Sequence, residues 1–401
     1  MYFIYPTIYY LFYSFIFLII FFFIYIKLKY HFWSIQPVFH FYDFYYWIKN
    51  VGIISTNLPN KNKYTNFNNV KTYVSLNENQ WKNITTFIQL NYLKNKNNTF
   101  HPKINNIQKY FIGHNHPCYW SFYNIDDIIH NTKNNNIIKN NKIIGTISSR
   151  PLKCIIGNIN FDLYYVDYLC VDKKYRKKNI APQLIQTHEY NQSHYNKKIS
   201  VSLFKREEEL TGIIPLTCYD TFCYNVSDFV NDEDTDLDLD INIKILTCDK
   251  NNIYYFYHFM KEYSHKWNIH IFPTISNLYN LIDSKNIFIK MLIIDTEIIA
   301  AYIFKKTCTY LDKNKQVLSC IGSINGTQLN NNEFIDGFKI SLSSLIDSNE
   351  NENLHFLSIE NISDNQILNN YTNCLLKSPT AYFFYNFAHS PFKSNKCLII
   401  N

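Results

Sequence analysis

Glycine and proline are scarce, with 8 and 11 residues in a chain of 401. Alongside 47% hydrophobic content, that scarcity excludes a disordered chain and leaves material for a large core, in two domains or one double domain. The ten cysteines contain no C-x-x-C pair and no regular framework, so they read as buried free thiols of a reducing compartment. Lysine and arginine form no long basic helix and no aromatic-basic repeat. The net charge of +7 therefore does not describe a nucleic-acid surface, and a phosphorylated ligand accounts for it as well. Asparagine and lysine are abundant everywhere, as AT-rich coding sequences make them, so isolated clusters of either carry no weight.

Charge is missing altogether from Tyr2 to Ile26. About 20 apolar residues at 1.5 Å rise cross a bilayer core, which predicts one transmembrane helix. A cleaved signal peptide needs a basic start, a shorter apolar run and a small-residue cleavage site, none of which is visible. Lys27 and Lys29 follow the run, and positive charge on that side places the remaining chain in the cytosol as a single-pass membrane protein.

Beyond the anchor (1–29), segment 39–76 has no clear period. Trp81, Ile84, Thr85, Ile88 and Tyr92 recur at helical spacing over 77–93. Residues 142–148 and 161–171 read as strands joined by a turn at Gly157-Asn158, and 181–195 as a helix with Pro182 in its first turn. An acidic run, 231–240, reads as a linker. Its Asp234, Asp236 and Asp238 imitate a calcium loop, but the obligatory glycine and the closing glutamate are absent. Helices over 252–265 and 332–346 and strands over 286–294 and 297–304 then repeat the vocabulary of the first part. The expected organisation is an anchor, an N-terminal α/β half (30–230), a linker (231–240) and a C-terminal α/β half (241–401).

The most informative stretch runs from Asp167 through Tyr168-Leu169-Cys170-Val171 into Asp172-Lys173-Lys174-Tyr175-Arg176-Lys177-Lys178-Asn179-Ile180-Ala181-Pro182. A strand feeds a loop with five cations and then a helix N-terminus, whose unpaired N–H groups suit an anion such as a pyrophosphate. A solvated basic turn is the plain alternative. Asn179 stands where R-x-x-G-x-A loops carry glycine, and asparagine tolerates the left-handed conformation best after glycine.

That stretch resembles the central signature of glycylpeptide N-myristoyltransferases, members of the GNAT class. Tyr30-His31-Phe32-Trp33-Ser34-Ile35-Gln36-Pro37-Val38 resembles the family's N-terminal Phe-Trp-x-x-Gln-Pro-Val segment, and Tyr382-Phe383-Phe384-Tyr385-Asn386-Phe387 its Tyr-Tyr-Leu-Tyr-Asn-Trp. The likeness covers 30–401. It implies an α/β fold of two fused GNAT-like halves with pseudo-two-fold symmetry. The implied reaction is transfer of a myristoyl group from myristoyl-CoA, a co-substrate and not a prosthetic group, to the N-terminal glycine amine of proteins.

The resemblance also implies roles. Backbone N–H groups of Tyr168 and Leu169 would stabilise the thioester oxyanion. Tyr30, His31, Phe32, Trp33, Cys170, Val171, Arg176, Lys177, Lys178, Asn179, Ile180 and Ala181 would contact the CoA donor. Phe100 and Thr211 would line the peptide path, and the carboxylate of Asn401 would be the general base, against the plain reading of an exposed terminal edge strand. Asp167 replaces the family's asparagine beside the oxyanion residues. Lys94-Asn95-Lys96-Asn97 reverses the sign of the family's acidic loop, which disfavours targets with a lysine beyond the first few residues. His114, His116 and Cys118 invite a zinc reading but lack a fourth ligand, so no metal is expected. A monomer bound to a membrane, acyl-CoA and Gly-starting peptides, with no nucleic acid, is expected. The rivals are a catalytically inactive acyl-CoA or acylated-protein binder, and a GNAT N-acetyltransferase.

Overall fold

The computed structural model describes residues 4–48, 52–93, 98–131, 136–207, 212–230, 243–312, 314–326, 329–347 and 353–401. The acidic run 231–240, the 94–97 loop and Thr211 lie outside them. Helices are α1 (Ile4–Lys29), α2 (Phe44–Ile48), α3 (Glu78–Asn91), α4 (Ile104–Gln108), α5 (Ile180–Tyr195), α6 (Ile253–Glu262), α7 (Ile275–Asp283), α8 (Asn331–Asp347) and α9 (Asn365–Asn369). Strands begin with β1 (Gly52–Ile53), β2 (Val70–Tyr73), β3 (Asn98–Phe100), β4 (Tyr119–Asn131), β5 (Asn136–Ile156), β6 (Ile159–Val171), β7 (Ser202–Glu207) and β8 (Thr217–Asn225). They continue with β9 (Ile243–Thr247), β10 (Ile269–Phe272), β11 (Ile287–Ile294), β12 (Glu297–Leu311), β13 (Lys315–Asn325), β14 (Leu354–Glu360), β15 (Leu376–Tyr385), β16 (Phe387–Ala388) and β17 (Cys397–Ile399).

Local signals set several of these elements. Asn77 and Gln80 form a reciprocal capping box at the start of α3, which satisfies two helix-end groups and stabilises by about 1 kcal/mol. The helix buries Trp81, Ile84, Thr85, Phe87 and Ile88, the stripe its spacing predicts. Gly157, at φ +54°, turns β5 into β6 with Ile156 opposite Ile159. β5 is far longer than expected from the sequence because β6 pairs with it from Gly145 to Ile156 while its other edge serves two partners in turn. β4 pairs along it as far as Ser149, β10 takes over at Lys153, and Pro151 falls in the gap where the partner changes.

Most strands join one sheet in the order β17-β10-β5-β6-β7-β15-β8-β14-β13-β12-β11-β9, with β4 beside β5 and β3 beside β12. One unit occurs twice in it. Antiparallel β5 and β6 are followed by α5 and a parallel β7, and antiparallel β12 and β13 by α8 and a parallel β14. The units are knitted by exchange: β10 and β17, late in the chain, extend the β5 edge, and β15 lies between β7 and β8.

α8 buries Phe334, Phe338 and Leu342 against Tyr302, Phe304 and Leu318 of the sheet. α5 packs differently. Gly145 on β5 admits Leu184, whose Cδ1 would lie 2.7 Å from any Cβ added there. Beyond Ile180 and Leu184 its inner face is polar. His188 is held between Ser121 (2.8 Å) and Ser149 (2.9 Å), and Glu189 accepts from Ser193 (2.9 Å), Gln192 (3.3 Å) and Ser202 (3.4 Å).

Burial pushes the Glu189 carboxyl from 4.5 up to about 7. A carboxyl whose folded pKa is raised keeps its proton while the unfolded chain releases it, so stability falls as pH rises through that window. Relative to Glu189→Gln, the wild type is expected to lose about 3 kcal/mol between pH 4.5 and 7, read from denaturant titrations of the detergent-solubilised chain.

Candidate active site

Where β6 ends and α5 begins, a cavity of about 470 Å³ is lined by Asn91, Tyr92, Leu93, Leu169, Cys170, Val171, Tyr175, Arg176, Lys177, Asn179, Ile180, Ala181 and Pro182. The loop folds tightly there. Asp172 accepts from the Lys174 N–H at 3.0 Å, and both Lys177 (φ +63°) and Asn179 (φ +58°) are left-handed. Asn179 occupies the N-cap position without a capping side-chain hydrogen bond, so the first-turn N–H groups of α5 gain no acceptor from the cap. Arg176 is anchored by backbone, donating from Nε to the Val171 carbonyl (3.1 Å) and from Nη2 to the Asn91 carbonyl (3.1 Å). Lys178 points elsewhere, its Nζ 5.1 Å from the centre of the Tyr175 ring.

Just upstream the β5–β6 ladder breaks. Thr146 pairs with Cys170 but Ser148 with Asp167, so Tyr168 and Leu169 together oppose Ile147 in a bulge, with Tyr168 at φ +50°. A bulge frees backbone groups from the ladder, which an oxyanion site requires. The Tyr168 N–H, however, donates to Asp167 Oδ1 at 2.8 Å. Asp167 also accepts from Arg150 Nη1 (3.3 Å) and from the Tyr92 hydroxyl (3.4 Å). Arg150 is 1% exposed, its guanidinium 4.8 Å from the Tyr110 ring and 4.7 Å from the Tyr165 ring. Burial, then the Asp167 charge, pushes the hydroxyls of Tyr92, Tyr165 and Tyr168 well above their usual range.

Tyr110 links this pair to the last residues. Lys305 Nζ lies 5.2 Å from the same ring and donates to Asn401 Oδ1 at 3.3 Å, while Asn401 Nδ2 donates to the Tyr382 hydroxyl at 3.0 Å. Residues 397–401 are buried throughout, β17 running parallel to β10. Lys205 pairs with Glu360 at 2.9 Å, and the Tyr219 hydroxyl donates to the same carboxylate. Burial, followed by the Arg150 charge, pushes the Lys305 amine down to about 8. Among the described residues, three cations (Arg150, Lys205, Lys305) and two carboxylates (Asp167, Glu360) share this buried centre.

Several expected site residues sit apart from the cavity wall. Trp33 stacks on Phe204 (5.7 Å), Phe32 meets Tyr64 edge-on (5.1 Å), and His31 is exposed with Nδ1 2.8 Å from the Leu28 carbonyl. Tyr30 packs near Gly212. The segment that follows, from Ser34 to Val38, walls a second cavity of about 780 Å³ with Gln186, Glu189 and Tyr385. Phe100 is buried against Tyr92, which touches Tyr168. Of the zinc trio, His116 bonds to Asp162 (3.1 Å), His114 to the Tyr110 carbonyl (2.8 Å) and Cys118 to the Phe111 carbonyl (3.7 Å). Burial pushes His114 down to about 4 and Cys118 up to about 12. Sequence reading missed Arg150, Lys305, Lys205 and Glu360. Their one visible signal is a charge inside or at the end of an apolar strand.

A twice-repeated sheet-helix unit, with a bulge and a helix N-terminus bordering one cavity, defines the GNAT-like class of α/β folds. Residues 54–214 match the family model "Myristoyl-CoA:protein N-myristoyltransferase, N-terminal domain". The fold is similar to that of Saccharomyces cerevisiae N-myristoyltransferase with bound myristoyl-CoA, at TM-score 0.66 and 14% identity over 91% of this chain and 94% of that one. A further structure of the yeast enzyme, with myristoyl-CoA and inhibitors, gives TM-score 0.65 and 14% identity over 90% and 91%. Comparison with curated protein sequences gives no match. Residues 54–214 thus match the N-terminal domain of the N-myristoyltransferase family, and the chain as a whole has the fold of the yeast enzyme.

The left-handed Asn179 yields a direct test. Asn179→Gly is expected to fold with unchanged stability, whereas Asn179→Val places a β-branched residue in a disfavoured conformation and is expected to cost about 1–2 kcal/mol in denaturant unfolding.

Proposed function

We propose that this chain is a membrane-tethered N-myristoyltransferase-like enzyme that moves a myristoyl group from myristoyl-CoA to an N-terminal glycine amine. The observation that carries the reading is the cavity that brings the Leu169 backbone, Arg176, Lys177 and the start of α5 together. Arg176, Lys177 and the Ile180 and Ala181 N–H groups hold the CoA phosphates, and the freed backbone of the bulge receives the thioester oxygen. The carboxylate of Asn401 takes a proton from the glycine ammonium, the free amine attacks the thioester carbon, and the C–S bond breaks with CoA leaving as a thiolate that takes up the proton the new amide releases. An α-amino group of pKa about 7.7–8.0 needs only a weak base. A carboxylate at Asn401 also balances the cation excess among Arg150, Lys205, Lys305, Asp167 and Glu360. Phe100 and Thr211 are assigned to the peptide path, and Tyr30–Trp33 to the donor's outer contacts.

The tether rests on α1, whose residues from Tyr9 to Lys29 are long and apolar enough to cross a membrane. Lys27 and Lys29 at its end place the enzyme domain on the cytosolic side. The anchor is assigned to 1–29, followed by an acyl-CoA half (30–230), the acidic linker and a peptide-binding half (241–401).

A second reading, an acyl-CoA binder without turnover, is favoured by one observation: the Tyr168 N–H is already held by Asp167. Incubation with myristoyl-CoA and a Gly-starting peptide separates the two, since tight donor binding without acyl-peptide supports the binder. Lys177→Ala removes a charge-assisted contact of about 1.5–3 kcal/mol and is expected to weaken CoA binding about tenfold or more; unchanged affinity would return the loop to a surface turn. Given turnover, extension of the chain past Asn401 is expected to lower it by about 10²–10⁴ while CoA binding and circular dichroism stay unchanged. Wild-type turnover of the extended chain excludes the Asn401 carboxylate as base.

A further inference from the structure

The hairpin that follows the anchor turns back along it. Phe41 meets Phe22 of α1 edge-on at 6.1 Å between ring centres, and Tyr42 meets Phe23 at 6.3 Å. Phe22 and Phe23 precede Lys27 by five and four residues, so at 1.5 Å per residue they lie about 6–8 Å to the apolar side of that ammonium group. If Lys27 and Lys29 mark the headgroup level, Phe41 and Tyr42 sit below it, at the depth where acyl chains begin. A segment at that depth has lipid beside it.

Its composition suits that surrounding. From Phe39 to Ile48 the sequence holds one charged residue, Asp43, and its carboxylate accepts the His40 N–H at 2.9 Å and lines the 780 Å³ cavity. The exposed side chains are Phe41, Phe44 (72%), Tyr45, Trp47 and Ile48 (85%). Trp47 donates its indole N–H to the Phe41 carbonyl (3.2 Å), which reduces the cost of taking that ring out of water. The hairpin is fixed to the enzyme domain, not loosely attached: His40 bridges Ile213, Phe41 N–H donates to Gly212 (3.2 Å) and Ile214 N–H to Phe39 (2.7 Å).

We infer that residues 39–48 form a second membrane contact, an aromatic foot in which Phe41, Phe44, Trp47 and Ile48 enter the headgroup–acyl boundary beside α1. The inference rests on the reading of α1 as a span. Tryptophan and phenylalanine are favoured at that boundary, and a short apolar surface lying in its plane adds to the hold of a neighbouring span. Two contacts resist rotation where one allows it. The foot therefore sets the tilt of the enzyme domain and keeps the wall made by Tyr42, Asp43 and Tyr46 at the lipid surface.

The test uses the full chain reconstituted in phosphatidylcholine vesicles, with and without lipids brominated high on the acyl chain. Tryptophan emission of the wild type is expected to be quenched by the brominated lipid, and most of that quenching to be lost in Trp47→Phe. In the Trp47→Phe background, Ile48→Trp, at a side chain 85% exposed, is expected to restore it, which covers the case in which the first variant packs poorly. Alkaline carbonate washing of the same vesicles reports on the span separately. A chain that stays in the washed membrane but shows no quenching from position 47 or 48 overturns the foot and leaves the span standing. A chain that washes out overturns the span, and the depth assignment with it. Trp47 shielded from lipid and from an aqueous quencher alike, in a chain that self-associates, would give the patch to a second copy and overturn the foot.

Discussion

A guanidinium at 1% exposure has to be neutralised where it stands, and Arg150 meets that requirement with the carboxylate of Asp167 and two flanking rings. Removing one partner from such a pair typically costs about 3–5 kcal/mol, so neither group is free to move far. The bulge inherits this rigidity. With Asp167 fixed by Arg150, its other oxygen fixes the Tyr168 N–H, and Tyr168 in turn stacks on Trp120 at 5.7 Å. Through Tyr110 the constraint reaches Lys305 and Asn401. Geometry at the end of β6 and around residues 397–401 is therefore tied to one ion pair, and Asp167 and Arg150 act as a single electrostatic unit.

The underside of α5 shows a second unusual compromise. Where α8 rests on the sheet through phenylalanine and leucine, α5 does so through Gln186, Thr187, His188, Glu189, Asn191 and Gln192. Burying so many polar groups is tolerable because they bond to one another and to Ser121, Ser149 and Ser202. Gln36 joins the same network from the N-terminal segment, bonding to Gln186 at 3.0 Å and accepting from the Tyr385 hydroxyl at 2.8 Å. Segments more than 300 residues apart in sequence are thus held by directional bonds next to the larger cavity.

Much of the fold is legible in the sequence because it is written locally. The α3 stripe from Trp81 to Ile88, the Gly157 turn, the left-handed Asn179 and the strand-loop-helix order at 161–195 each depend on a few consecutive residues. Partners across long separations are not written that way. A lysine ending an apolar strand gives no hint that it meets Asn401, and an arginine between two serines and a proline gives none that it meets Asp167. Strand length depends on pairing in the same way: β5 extends through Pro151 to Ile156 because β6 pairs with it up to the Gly157 turn, and β10 arrives from the other half of the chain to cover its far edge. The outward aromatics at 39–48 look irregular until the helix before them is seen lying alongside.

The exchange of strands between the two units imposes an order on biosynthesis. β5 and β6 can pair as soon as the Gly157 turn between them is made. The β5 edge, by contrast, stays open beyond Ser149 until residues 269–272 emerge, and β10 itself lacks its second neighbour until 397–399 follow. Contacts of such long separation form late, and an open edge is the part of a nascent sheet most prone to pair with the wrong chain. For almost the whole of translation the sheet therefore stays unfinished along that edge and in need of protection. A product that stops before residues 397–399 would carry a formed helix–sheet unit with a bare strand edge, which exposes it to mispairing and to proteolysis.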